Sequence, residues 1–191
     1  MSESMMSEVL RLRRSGRLYD EVRTMSTEEV RALIEAARWA PSGGNGQPWR
    51  FVVGLRGDAH WERLLPLLHD GNRIWAQHAS VLILTCALTS RTTPDGRTVQ
   101  NGSALHDAGM ANMSIAVEAT TRGLMLRMMG GYDRDAARAL VAGAHAGIEP
   151  VTMMAVGYAG AGESLPEDMR SRDAAPRSRL PIDELLIAKI D

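Results

Sequence analysis

The segment Ala104–Arg122 constrains the fold more than any other part of this sequence. It reads as the longest helix of the chain, closed by Gly123, and it is rich in small residues: Ala108, Gly109, Ala111, Ala116 and Ala119. Small side chains let another element approach closely, so such a helix belongs in the centre of a core or at a subunit interface. Ser26-Thr27-Glu28-Glu29 reads as a capping box that opens a second helix. There Val30, Leu33, Ile34 and Ala37 recur at helical spacing until Pro41 stops it. Further helices are expected over Met5–Gly16, over Asp58–Leu68, and from Asp133 to Gly143. Trp49–Gly54, Ser80–Leu88, Leu124–Met129 and Val151–Tyr158 read as strands, and polar Arg91–Asn101, with Pro94, Asp95 and Gly96, as a surface loop. These segments show no regular strand–helix alternation, which favours α+β over a doubly wound sheet.

The 191 residues leave room for one domain with a sizeable core, or one domain plus an arm. From Ala159 onward Gly, Pro and charge dominate, until Leu180–Ile190 turns apolar again. An apolar tail beyond a polar stretch of roughly twenty residues has to be buried at a distance, and a second subunit is the expected place.

Composition removes several classes of function. Lys and Arg total 22 against 23 for Asp and Glu, a formal net charge of -1. That balance argues against non-specific binding to nucleic acid or to an anionic membrane. A single cysteine, Cys86, rules out an internal disulfide and a cysteine-based zinc site; inside an apolar strand it reads as inert core. His60, His69, His78, His106 and His145 are scattered without ligand spacing, so no metal site is expected. The longest apolar run, near Val81–Leu84, is only strand length. The first residues lack the basic-then-apolar order of a signal peptide, so a cytoplasmic globular chain is expected. There is no Walker loop, no HExxH and no GxSxG, and Gly157–Gly162 has the wrong spacing for a dinucleotide fingerprint.

Two basic clusters stand out, Arg13-Arg14-Ser15-Gly16-Arg17 and Arg177-Ser178-Arg179. Guanidinium forks offer bidentate donors and stay charged, which suits phosphate. The clusters read either as two solvated basic turns or as two halves of one phosphate site. Ala40–Trp49 is a helix stop, a glycine-rich loop and a Pro-Trp entry to a strand. Its exposed amides, with Ser42, Asn45 and Gln47, suit the edge of a polar heterocycle, or they form an ordinary connection.

Taken in order, these segments resemble the FMN-dependent nitroreductase family over nearly the whole chain. The resemblance adds Asn72 in Gly71-Asn72-Arg73, Gly123-Leu124 leading to Gly130-Gly131-Tyr132-Asp133, Val156-Gly157-Tyr158, and Arg177-x-Arg179 before Leu180-Pro181. It implies that Arg13, Ser15, Arg177 and Arg179, with Arg14 beside them, hold the FMN phosphate and ribityl chain. Arg17 and Asn72 match positions at the pyrimidine end of the flavin, where a cation and an amide favour negative charge at N1–C2=O. Pro41, Ser42, Gly43 and Asn45, with Gln47, match a loop that reaches the flavin of the other subunit. The backbones of Gly130 and Gly131 match the place that addresses N5, next to Met129. Met113, Met125 and Met128 could also line a flavin pocket, though at their helical and strand spacing all four methionines read more readily as plain core. No catalytic side chain is implied, because the flavin carries the chemistry.

The implied architecture is a central, mostly antiparallel mixed sheet flanked by helices, in an intertwined homodimer. Residues 1–162 form the FMN-binding core, and 163–191 form an arm reaching the partner. The implied activity is ping-pong reduction of nitroaromatic or quinone-type acceptors by NADH or NADPH through flavin N5. A flavin oxidase, a reductive dehalogenase and a non-catalytic flavin-binding protein share the same cradle, and a scaffold for a phosphorylated partner would use the arginines alone. Two departures from the family pattern are visible. Gly16 stands where a bulkier residue is commoner, which is expected to loosen that turn, and Gly130 replaces an acidic residue of some relatives. Arg91, Arg97 and Arg127 are candidate cations for a nicotinamide 2′-phosphate, and the sequence does not choose between the two nicotinamides.

Overall fold

The structure, a computed structural model, describes residues 6–93 and 95–188. Met5, Pro94 and residues 189–190, on which some expectations above fall, lie outside the described residues. In chain order the elements are α1 (Glu8–Leu12), α2 (Thr27–Arg38), β1 (Trp49–Leu55), α3 (Ala59–Leu64), α4 (Asp70–Ala76), β2 (Val81–Leu88), β3 (Ser90–Thr92), β4 (Thr98–Gln100), α5 (Ala104–Thr121), β5 (Leu124–Met129), α6 (Arg134–Val141), β6 (Ile148–Tyr158) and α7 (Glu167–Ala174).

Four strands form one sheet in the order β1-β2-β6-β5, and every pairing in it is antiparallel. Side-chain alternation on the two central strands then splits the core into two layers. Val81 and Ile83 of β2, with Met154 and Val156 of β6, face α2 and α5. There they join Leu33, Ala37, Ala111, Ile115, Ala116 and Ala119. Leu82, Leu84 and Cys86, with Met153 and Ala155, face the other way, onto Trp61, Leu64, Trp75, Ala76, Ala137 and Val141 of α3, α4 and α6. Burying each large side chain contributes about 1.5–3 kcal/mol, so a strand buried on both faces fixes both layers at once. Pro150 sits in central β6, where it cannot donate to the ladder. The register shifts at that point, opposite Thr85 and Cys86, which is how a proline is tolerated there.

The small residues of α5 are used as the sequence suggests, except Gly109, which is exposed. Ala104, Ala108, Ala111, Ala116 and Ala119 are buried, and the helix lies against α2 and the sheet. Its other side leaves Leu105 and Met110 exposed, the latter near an exposed Trp39 at the end of α2. The capping box is formed: Ser26 accepts from the Glu29 N–H, and the Glu29 carboxylate accepts from the Ser26 N–H at 2.8 Å.

Three expectations are corrected. The first helix covers only Glu8–Leu12, because Arg177 takes the carbonyls of Arg11 and Arg13 that a longer helix would use. Arg91–Asn101 contains the hairpin β3–β4 rather than a loop. The polar stretch after Ala159 contains α7, held by the ion pairs Glu167–Arg170 and Asp168–Arg172. Among the described residues, no helix is long and apolar enough to cross a membrane.

Candidate functional site

Tyr19 anchors the first basic cluster. Its ring is buried and stacked on Trp75, with centroids 6.3 Å apart, and its hydroxyl donates to the Ala155 carbonyl at 2.8 Å. A bridge from Tyr19 to Ala159 and the bond from Gly160 N to Leu18 O tie this segment to the end of β6. Arg13–Arg17 is therefore held as a non-helical run beside the sheet edge at β5. The second cluster arrives on the chain that leaves α7. Arg177 donates to the Arg13 carbonyl at 2.6 Å, and Arg14 to the Asp173 carbonyl at 2.9 Å.

The two clusters close around one cavity of about 330 Å³, lined by Arg13, Arg14, Ser15, Gly16, Arg17, Arg127, Arg172, Asp173, Ala175, Pro176, Arg177 and Arg179. That volume is near the lower end of the range for small-molecule sites, about 300–1,000 Å³. Arg17 pairs with Asp173 and Arg172 with Asp168. Arg13, Arg14, Arg127, Arg177 and Arg179 form no ion pair among the described residues. Among the described residues, the Arg13 guanidinium donates to the Ser15 hydroxyl, at 3.1 Å. Burial first, and then the neighbouring Arg179 and Arg177, pull its pKa below the ordinary arginine value. Five guanidiniums with no ion pair among the described residues, around a cavity whose one carboxylate, Asp173, is paired with Arg17, leave an excess of positive charge that a bound anion would offset. The donor set fits a phosphate monoester: forked cations for the oxygens, and a hydroxyl at Ser15.

The other expected site residues fall into separate groups. Asn72, on α4, donates its amide to the Gly131 carbonyl at 2.9 Å, so the two are joined as the resemblance implies. A Cβ on Gly131 would lie 2.9 Å from that amide nitrogen, which is why glycine suits the position. Gly130 is exposed beside it. The loop with Pro41, Ser42, Gly43, Asn45 and Gln47 does not line the arginine cavity of its own chain. It is pinned instead by Asp107, a buried carboxylate at the start of α5 that accepts from Gly43 N at 3.2 Å and from the Ser103 hydroxyl at 2.9 Å. Asn45 and Gln47 both adopt positive φ, a costly conformation for residues with a side chain. The Met129 side chain lies in the core, and its carbonyl accepts from the Thr152 hydroxyl at 3.0 Å. Cys86 is buried, and burial pushes its thiol up to about 11, as an inert core residue requires.

Two participants are new relative to the sequence reading, Asp173 and Arg127 in its present role. Arg127 projects from β5 into the cavity wall, donates to the Ser15 carbonyl and lies 5.5 Å from the Trp75 ring. Gly16 also needs a different account. It is buried, and a Cβ there would stand 1.8 Å from the Met125 sulfur and 3.2 Å from Asp173 Oδ2. Glycine is there for close approach rather than as a loosened turn.

A sequence model described as the nitroreductase family matches residues 10–85, the stretch that supplies Arg13, Ser15, Arg17, the 41–47 loop and Asn72. An uncharacterized 15.4 kDa protein of Mycolicibacterium smegmatis is 34% identical over 144 residues, 71% of this chain and 92% of that one. The oxygen-insensitive NADPH nitroreductase of Helicobacter acinonychis is 29% identical over 102 residues, 53% of this chain and 48% of its own length. Among solved structures, an oxidoreductase containing FMN superposes with a TM-score of 0.91 at 29% identity, covering 98% of this chain and 93% of that one. A likeness that extends along almost the entire fold, and whose matched sequence carries the Arg13–Arg17 side of the arginine cavity, makes this chain a member of the nitroreductase family.

Proposed function

We propose that the chain is an NAD(P)H-dependent FMN oxidoreductase. The observation that carries this reading is the cavity with five guanidiniums that form no ion pair among the described residues, in a fold whose relatives include FMN proteins. Arg13, Arg177 and Arg179 would hold the phosphate, with Ser15 supplying a hydroxyl. Arg17 would present a positive charge to the ring system, and the Asn72 amide would orient it together with Gly130 and Gly131. Bound FMN supplies a two-electron carrier that accepts hydride from a nicotinamide and passes it to an acceptor. The protein's part is to bind and orient, and hydride transfer through the flavin needs no acid–base pair of side chains. Nitroaromatic and quinone-type acceptors suit one flat cleft used in turn by donor and acceptor, the ping-pong order. The cytoplasm, where NAD(P)H is supplied, is the expected location.

The same reading includes a homodimer. Leu180, Ile182, Leu185 and Ile187 are all more than half exposed, although a soluble arm gains nothing from apolar side chains in water. An apolar groove of about 850 Å³ lies between α2 and the edge strand β1, lined by Ile34, Trp49, Phe51, Val53 and Leu55 among others. It supports a partner-borne arm lying on that edge, with the 41–47 loop reaching the partner's flavin. Deleting residues from Leu180 onward is expected to shift sedimentation from dimer to monomer. A deleted chain that remains dimeric contradicts the arm exchange.

The reading as a whole is tested by loading the protein with FMN, desalting, recording its absorbance, and adding NADH or NADPH without oxygen. Retained flavin absorbance that bleaches with either donor is expected. Retained flavin that bleaches with neither moves the function to an oxidase or a flavin carrier, and loss of all flavin removes the FMN reading.

A further inference from the structure

Asp173 lines the arginine cavity as its one carboxylate among the described residues, and nothing above gives it a task. It stands in the last turn of α7. One oxygen accepts from the Arg17 backbone N–H at 2.6 Å and the other from the Arg17 guanidinium at 3.0 Å. The two side chains are only 9% and 23% exposed, so solvent screens the pair weakly. Arg127 flanks the same group. Burial and the Arg17 charge lower the Arg127 pKa, and Asp173 acts in the opposite sense. One carboxylate thus holds Arg17 directly and offsets part of its repulsion with Arg127, and the missing Cβ of Gly16 leaves it room.

The bidentate grip has two consequences. It fixes where the Arg17 guanidinium can point, because the backbone and the side chain of the same residue are held together. It also offsets much of the charge that Arg17 offers to a ligand. We infer that Asp173 is a positioning residue which fixes Arg17 and partly neutralises it, holding the potential of bound FMN below the value that an unpaired Arg17 would set. This rests on the FMN reading above and goes beyond it, because it assigns the tuning of the cofactor to a side chain on the C-terminal helix.

The test is the midpoint potential of FMN-loaded protein, measured by anaerobic titration against redox dyes, for wild type, Asp173→Asn and Asp173→Glu. Asparagine keeps an acceptor for the Arg17 N–H and removes the charge. The expected result is an upward shift equivalent to about a three- to tenfold greater preference for reduced over oxidised FMN, the scale of one nearby charge in a half-buried site. Asp173→Glu is expected to return the potential toward wild type. A purely structural role would loosen FMN without moving the potential. If Asp173→Asn does not fold, Arg17→Gln and the double variant Arg17→Gln/Asp173→Asn decide the matter. Removing the stranded carboxylate is expected to tighten FMN about fivefold relative to Arg17→Gln alone, again by relief of one like charge. No such recovery, or an unchanged or lowered potential in Asp173→Asn while wild type holds FMN, overturns the inference and leaves the FMN reading standing. A wild type that retains no FMN overturns both.

Discussion

Arg13→Ala is expected to weaken FMN binding by about 1.5–3 kcal/mol, the scale of a hydrogen bond to a charged group, or roughly ten- to a hundredfold in Kd. Arg13 lines the cavity beside both Arg177 and Arg179. Its guanidinium spends one donor on the Ser15 hydroxyl, and the neighbouring charges that act on it are those of Arg179 and Arg177. A residue in that situation contributes little to the stability of the ligand-free protein, because its close charged neighbours carry the same sign. Removing it relieves repulsion, so the unfolding midpoint of the apo-protein is expected to hold or to rise while FMN affinity falls. That opposition separates a ligand-binding arginine from a structural one. Arg14→Ala supplies the contrast: Arg14 is exposed and spends its guanidinium on the carbonyls of Asp173 and Ala175, so a smaller loss of affinity is expected. Fluorescence titration of FMN at low and moderate salt measures both variants. An Arg13→Ala protein that binds FMN within threefold of wild type would remove Arg13 from the phosphate site.

Much of this arrangement is legible in the sequence wherever local chemistry and tertiary packing agree. The capping box at Ser26, the apolar run of β2 and the small residues of α5 each carry a signal that the fold keeps. The two basic clusters are legible as residue types, and their meeting across 164 residues is not, because it depends on Tyr19 and on the chain beyond α7. The illegible parts have physical causes. Helix α4 opens Asp70-Gly71-Asn72, a weak helical start, and is held by burial of Trp75 and Ala76 at its other end. Helix α7 is almost wholly polar and rests on charge pairs, with Met169 partly buried against the core. Arg127 left one usable trace. It stands between Met125 and Met129 on the inward face of an apolar strand, where alternation calls for an apolar residue. Asp173 left a fainter one, the glycine at position 16, whose reason becomes visible only when Met125 and the carboxylate are seen against it.

Trp75→Ala is expected to cost about 3–5 kcal/mol of folding stability, the range for truncating a fully buried large aromatic residue. Trp75 has no exposed surface, and its indole N–H donates to the Gly71 carbonyl at 3.0 Å, closing the turn that carries Asn72. One side of the ring is stacked with Tyr19, and the Arg127 guanidinium lies 5.5 Å from its centre. The residue is therefore the floor on which three parts of the site stand: the Arg13–Arg17 segment through Tyr19, the cavity wall through Arg127, and Asn72 through the helix turn. Truncation would leave a void that none of these can fill without moving. Trp75→Phe keeps an aromatic floor and loses the N–H bond and part of the volume, so about 1–3 kcal/mol is expected. Urea unfolding of the apo-proteins measures both, with an unchanged denaturant slope required for the comparison. FMN affinity provides the second readout. Trp75→Phe should bind FMN within a few fold of wild type, whereas Trp75→Ala should lose affinity as the arginine segment and Arg127 lose their support. A Trp75→Ala protein destabilised by less than about 1 kcal/mol would show that the ring does not support the cavity, and the arginines would then need another explanation for being held together without an anion.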